Sequence, residues 1–226
     1  MRLTGIGKSY GKKTVLKNLC LEIEPEKVTC VFGRSGAGKT TLLNVLAGMI
    51  EYDGELCGAP QSVGYVFQED RLLSHLTVAE NLQFVGGREE LIDELLAKTA
   101  LQALRDRKIS TLSGGEKRRI SLLRAFCVDS DLVLLDEPFS ALDAVTKEEM
   151  IAFTVSLLGQ KKVTAVLVTH DVDEALAIAD KIAILSGGEI VTELPLPASK
   201  KPREYGSQAV VRGELLEILR KTTAKD

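Results

Sequence analysis

The sequence predicts an α/β fold, a parallel β-sheet with helices on both faces. Two observations carry that expectation. Between Val28 and Leu185, short apolar runs alternate with stretches whose apolar residues fall at helical spacing. That alternation is the pattern of parallel strands joined by helical crossovers. The first of those runs leads through a glycine-rich turn directly into a helical stretch, the order strand, loop, helix that opens a βαβ unit. A chain of 226 residues buries roughly 70–75% of its unfolded surface, enough for one domain spanning 1–226.

Each element has a local reason. Residues 14–24 alternate loosely (Val15, Leu19, Leu21, Ile23), the period of a strand. Val28–Phe32 is apolar throughout and ends at Gly33, as a fully buried strand does. Residues 40–49 place Leu42, Leu43, Val45 and Leu46 on a helical stripe. Residues 63–67 form another short strand. Residues 77–84 and 89–104 read as helices, the first with Thr77 as N-cap and Glu80 completing a capping box. Residues 114–128 make a helix with a basic first turn, and Leu132–Leu135 is a greasy strand ending at Asp136. A helix over 144–158 leads to strands over 163–169 and 181–185, which a helix over 172–179 separates. Gly187-Gly188 turns into a strand over 189–194. Pro195, Pro197 and Pro202 mark an extended connector before a final helix over 208–221, so that 195–226 is a connector and helix appended to the core.

Composition excludes several classes. Apolar residues are 45%, charged residues 27%, and the net charge is −3; this is neither a disordered chain nor the basic profile of a nucleic-acid binder. Aromatics are 4% and tryptophan is absent, so aliphatic side chains fill the core. Four cysteines (Cys20, Cys30, Cys57, Cys127) form no CxxC pair, and there are two histidines. A zinc site or disulfide framework is not expected, and reduced, mostly buried thiols fit a cytosolic protein. Residues 1–9 carry no apolar stretch of a signal peptide. No apolar run approaches the ~18 residues needed to span a bilayer.

The sharpest local signal is Gly33-Arg34-Ser35-Gly36-Ala37-Gly38-Lys39-Thr40, which matches GxxxxGK[ST]. Glycines let successive backbone N–H groups converge on one phosphate. The helix that starts near Lys39 adds its positive end. Lys39 brings a fixed charge to the β- and γ-phosphates. Thr40 offers a hydroxyl to Mg²⁺ and Thr41 a further hydroxyl to phosphate. The motif predicts nucleotide binding without naming the kind of NTPase. A second signal is Asp136-Glu137 at the carboxyl end of a buried strand, where α/β sheets bind ligands. Asp136 is placed to hold Mg²⁺ through water. Glu137, one residue further out, is placed to orient and deprotonate an attacking water.

Leu112-Ser113-Gly114-Gly115-Glu116 lies upstream of that pair. With it, the sequence resembles the ATP-binding cassette (ABC) ATPases, whose signature is LSGGQ. Further landmarks follow the family's order. Gln68 in Val66-Phe67-Gln68-Glu69 is similar to the Q-loop. Ser140-Ala141-Leu142-Asp143 is similar to the D-loop, and His170 in Val168-Thr169-His170-Asp171 to the switch histidine. Tyr10 stands where the family places its adenine-stacking aromatic, with core packing as the rival reading. For Asp143 the rival reading is an N-cap, and both roles can hold. The likeness covers about residues 1–194.

This resemblance implies a P-loop NTPase with a RecA-like core, an N-terminal antiparallel β subdomain and an inserted helical subdomain at about 69–126. It also implies a head-to-tail dimer of two copies holding two ATP molecules with Mg²⁺. Each ATP would lie between one copy's phosphate loop (Gly33 to Thr41) and the other's signature (Ser113, Gly114, Gly115), with the D-loop residue Asp143 also among the nucleotide-binding residues. Gln68 would touch Mg²⁺ or the attacking water, and His170 the γ-phosphate. Two departures stand out. Glu116 replaces the usual Gln and adds negative charge near that interface. Arg118 stands where a second Gln is common, in a run Lys117-Arg118-Arg119 that reads as a solvated face.

Arg71-Leu72-Leu73-Ser74-His75-Leu76-Thr77-Val78 is similar to the LLPWLTV stretch of nitrate, sulfonate and taurine importer ATPases, with Ser74 and His75 in place of Pro and Trp. In those relatives the stretch lines the groove that receives a permease helix. The resemblance therefore implies a bacterial importer's ATPase subunit, peripheral on the cytoplasmic face of the membrane. Its partners would be transmembrane permease subunits and a substrate-binding protein, with no nucleic acid. Efflux, lipoprotein extraction and a soluble non-transport ABC ATPase are the alternatives.

Overall fold

The computed structural model describes residues 1–140, 142–199, 201–204 and 208–223, the side chains of 221–223 excepted. Six strands form the main sheet in the order β5-β6-β7-β3-β8-β9. These are β3 (Val28–Phe32), β5 (Val63–Val66), β6 (Leu132–Asp136), β7 (Thr164–Thr169), β8 (Lys181–Ser186) and β9 (Glu189–Pro195). All neighbours run parallel except β8 and β9. That last pair is a hairpin whose turn, Gly187-Gly188, has φ of 59° and 89°; two positive φ values are what a tight hairpin turn needs.

Strand β3 is buried at all five positions, and its side chains divide two cores by the pleat. Cys30 and Phe32 face one, with Val133, Leu135 and Leu167. Helices α4 (Gly114–Phe126), α5 (Ala144–Lys161) and α6 (Val172–Ile178) cover that side. Val31, Leu134 and Val166 face the other, covered by α1 (Lys39–Leu46) and by a three-stranded antiparallel sheet. That second sheet has the order β2-β1-β4, from β1 (Arg2–Tyr10), β2 (Lys13–Glu22) and β4 (Asp53–Cys57).

Several expectations change here. Strands β1 and β4 carry no periodic signal. In β1, register shifts break the alternation between Leu3 and Ile6, and β4 has no buried residue at all. The helix expected over 89–104 ends earlier, as α3 (Glu89–Lys98), beyond the short α2 (Val78–Phe84). Ala100 adopts φ 56°, a left-handed turn that stops the helix, and Leu101 and Leu104 reach the core from a 3₁₀ turn instead. Of the four thiols only Cys30 and Cys127 are buried; Cys20 and Cys57 are exposed, and all four are free.

The proline-marked connector is tied down by Arg203, 6% exposed. Its guanidinium donates to the carbonyls of Leu176 (3.0 Å), Ala179 (2.6 Å) and Pro197 (2.9 Å). The first two are orphan acceptors at the end of α6, so Arg203 caps that helix. The last helix, α7 (Ala209–Thr223), follows. Ala141, Gly206 and 224–226, within the D-loop and the tail discussed above, lie outside the described residues. Among the described residues no helix is long and apolar enough to cross a membrane.

Candidate active site

Central strand β3 hands the chain to the phosphate loop, and α1 begins at Lys39. The loop is built on glycine freedom. Gly38, the N-cap of α1, has φ 105°, and a Cβ there would lie 3.0 Å from Val15 Cγ1 and 3.2 Å from the Val15 carbonyl. Arg34, Ser35, Gly36 and Thr40 are exposed, Ala37 and Thr41 half-buried, and Lys39 only 5% exposed. Lys39 curls back over the loop. Its Nζ donates to the carbonyls of Gly33 (2.9 Å) and Arg34 (3.1 Å) and pairs with Glu137 Oε1 at 3.1 Å.

Glu137 follows the last residue of β6 and is held at φ 43°, left-handed and uncommon for a side chain with a Cβ. Its N–H donates to Val168 O (3.0 Å), which fixes the bend that turns its carboxylate across the end of β7. There its Oε2 lies 3.3 Å from His170 Nδ1. Lys39, Glu137 and His170 thus form one contiguous row, with His170 the exposed end. Beside the row, Thr40 Oγ1 donates to Asp136 Oδ1 at 3.3 Å. Burial pushes the Asp136 carboxyl up from its ordinary value, against the opposing Thr40 bond and Lys39 charge.

An open cleft of about 340 Å³ collects Thr40, Asn44, Gln68, Arg71 and Asp136 on this side. Its back wall is a stack: Tyr65 and Phe67 rings at 4.1 Å, with the Arg71 guanidinium 3.9 Å from the Phe67 ring centre. A second cleft, about 380 Å³, runs along the loop's other flank between Lys13, Lys17, Arg34, Ser35 and Gly188. Three cationic side chains line it, the charge a polyphosphate demands. Tyr10 is 50% exposed, with Lys8 Nζ 5.5 Å from its ring centre, so core packing is not its role.

His170 sits in a braced loop. Thr169 Oγ1 donates to Glu174 Oε2 (2.5 Å) and accepts from the Asp171 N–H (3.0 Å). Asp171 caps α6, and Lys147 of α5 bridges Asp171 (2.7 Å) and Glu174 (3.0 Å). No spacing rule singles out Lys147, because its partners lie far along the chain.

The other predicted residues stand apart from this row. Ser113 is the N-cap of α4 in a full capping box: its Oγ accepts from the Glu116 N–H (3.2 Å), and its own N–H donates to Glu116 Oε2 (2.7 Å). Ser113, Gly114 and Gly115 line neither cleft. Asp143 caps α5, accepting from the Thr146 N–H (3.1 Å) and hydroxyl (2.7 Å). The basic run after the signature is not a solvated face throughout. Arg118 is 6% exposed, because its fork is spent on inward carbonyls.

The ABC transporter family matches residues 16–140 of the chain. The chain belongs to this family. Among ABC proteins it is 40% identical to the aliphatic sulfonates import ATP-binding protein SsuB of Corynebacterium glutamicum, over 97% of this chain and 93% of that one. It is 34% identical to an SsuB of Burkholderia cenocepacia, over 95% and 85%. It is 37% identical to the sulfate/thiosulfate import ATP-binding protein CysA of Synechocystis, over 83% and 58%. Its fold is that of solved ABC cassettes. A dimeric post-hydrolysis cassette bound to ADP and Pi superimposes with a TM-score of 0.74, at 28% identity, over 88% of this chain and 99% of that one. The chain is thus an ABC ATPase, with the P-loop NTPase architecture read from its motifs. Within an ABC cassette, the capping box explains how Glu116 stands in for the usual Gln: either side chain can close the box.

Proposed function

We propose that this chain is the ATP-hydrolysing subunit of a membrane importer, working as a head-to-tail pair on separate permease subunits. The observation that carries the reading is the row Lys39–Glu137–His170 beside Thr40 and Asp136. The names of the similar proteins, all import ATP-binding proteins at 34–40% identity, support the direction of transport. A substrate-binding protein and a position on the cytoplasmic face follow from the same reading. Residues 69–126 are taken as the helical subdomain that meets the permease.

In this reading ATP lies along the cationic flank of the phosphate loop, its base near Tyr10. Backbone N–H groups of Gly33 to Thr41 and the Lys39 ammonium take the phosphates. Thr40, Asp136 and Gln68 are hard oxygen donors, the set that suits Mg²⁺, and they line one cleft. When bound, Mg²⁺ neutralises charge on the transferred phosphoryl group. Glu137 takes the proton of the attacking water, and His170 and Gln68 orient it. The half-site formed by Ser113, Gly114, Gly115 and Asp143 serves the other copy's nucleotide. Ser113 and the two glycine amides open a helix, where an anion is favoured, yet they line neither cleft of their own chain.

The test is Glu137→Gln with Mg-ATP. A positioned base is worth 10²–10⁴ in rate, so turnover falls by about that factor while ATP binding persists. Unchanged turnover removes Glu137 from the role of base.

A further inference from the structure

The buried arginine in the helix behind the signature is the feature the motifs do not account for. Arg118 lies one turn into α4. Its Nε donates to Pro138 O (2.7 Å), Nη1 to Phe67 O (3.1 Å), Gln68 O (3.3 Å) and Asp70 Oδ1 (3.0 Å), and Nη2 to Glu137 O (3.4 Å). One guanidinium therefore spans two loops that leave the ends of neighbouring strands: the segment after β5, which carries Gln68, and the segment after β6, which carries Glu137. A planar fork can do this; a lysine's single ammonium cannot hold acceptors on both sides in fixed directions.

The same side of α4 continues the grip. Ser121 Oγ donates to Asp70 O (3.2 Å), and Arg124 donates to Asp70 O (3.0 Å) and Arg71 O (2.7 Å). Arg118, Ser121 and Arg124 are spaced by three, so they lie along one side of the helix. Close approach of helix and strand supports them. A Cβ on Gly64 of β5 would lie 2.1 Å from the Ala125 carbonyl of α4. No other residue type permits that seating. The helix that begins at the signature serine is thus bonded to the backbone of the Gln68 loop at three successive points.

We propose that Arg118 is a positioning residue for hydrolysis, setting the Gln68 loop and the Glu137 loop in mutual register and tying both to the signature helix. It touches no substrate. It acts on the carbonyl of Glu137, whose left-handed backbone aims the carboxylate, and on the carbonyl of Gln68. This inference rests on the roles proposed above for Gln68 and Glu137. It also gives α4 a mechanical part: a displacement of the signature helix moves both loops together.

The experiment compares steady-state ATP hydrolysis by the full chain, Arg118→Ala and Arg118→Lys, with thermal unfolding measured on each. A misplacement of about 1 Å can cost as much as 10²-fold in rate. Arg118→Ala therefore lowers kcat by roughly 10- to 100-fold, and its KM for ATP stays within about threefold of the parent, because nucleotide contacts are untouched. Guanidinium ion, added far below denaturing concentrations, restores part of that kcat and has no such effect on the parent. Arg118→Lys keeps the charge without the fork and falls between the two. Should Arg118→Ala not fold, Arg118→Lys carries the test: a lowered kcat at unchanged KM supports the proposal, and parental kcat overturns it. In a folded Arg118→Ala, parental kcat, or a loss that guanidinium leaves unrestored, also overturns it. If Glu137→Gln abolishes turnover while the Arg118 variants keep parental kcat, the positioning role fails and the assignment of the base stands. Unchanged turnover in Glu137→Gln fails the assignment itself.

Discussion

At the scale of the residue, the site is made by backbone conformations that ordinary sequence preferences oppose. Glu137 sits at φ 43°, and a non-glycine residue held there costs on the order of 1–2 kcal/mol. The cost is held in place by the bond from its N–H to Val168 and by the donors of Ser140 and Arg118 on its carbonyl. Two variants isolate it. Glu137→Ala and Glu137→Gly both remove the carboxylate, but only alanine keeps the strain. The glycine variant is therefore more stable than the alanine variant by about 1 kcal/mol, measured by denaturant unfolding, and both are inactive. Equal stabilities would mean that the bend stores no strain. Motif spacing singled out Lys39, Thr40, Asp136 and Glu137, because phosphate and Mg²⁺ chemistry needs those residue types at a fixed offset from a strand end, and the family resemblance added His170. Arg118 was misread from the same letters. A basic run in a first helical turn looks solvated, and only the fold shows the carbonyls waiting on the inner side.

At the scale of the element, the caps decide where helices present their ends. The α4 capping box joins Ser113 to Glu116, and its bonds hold the Glu116 carboxyl below the ordinary glutamate range, the backbone N–H of Ser113 being the main cause. The sign follows from that depression. The ionised cap stabilises the fold at every pH above the unfolded-state value, near 4.3 for glutamate, and the contribution is lost as pH falls through the lower folded value. Glu116→Gln keeps the box without the charge. Its thermal midpoint therefore lies slightly below the parent's at neutral pH, and the two curves converge in strong acid. A gap that stays constant across the pH series would contradict the ionised cap. Sequence periodicity found α4 and the Thr77 box on α2 readily, since apolar spacing and capping letters agree there. It failed at β1 and β4, where register shifts, glycines and full exposure erase the period-two signal. It overran α3, because Leu101 and Leu104 continue the apolar spacing past a left-handed turn at Ala100.

At the scale of the whole molecule, the described chain keeps the signature residues Ser113, Gly114 and Gly115 out of both clefts beside the phosphate loop. The phosphate loop lies at the end of the central strand, and the signature caps a helix on the far side of the Gln68 loop. The stretch after that loop, Arg71–Val78, is the one similar to the groove-lining segment of importer ATPases. Leu72 is half-buried against the main core, Leu73 is half-buried, and Ser74 and His75 are exposed. Arg124 ties α4 to Asp70 and Arg71, and Arg118 ties it to Gln68 and Glu137, so that under the proposed roles a push on the helical segment reaches both loops as one body. In the proposed reading, hydrolysis requires that the second anion site come from the other copy. Sedimentation of the Glu137→Gln chain with Mg-ATP, beside the same chain also carrying Ser113→Glu, tests this most directly. The account predicts an ATP-dependent dimer for the first and a monomer for the second. A first chain that stays monomeric, or a dimer indifferent to Ser113→Glu, would contradict it.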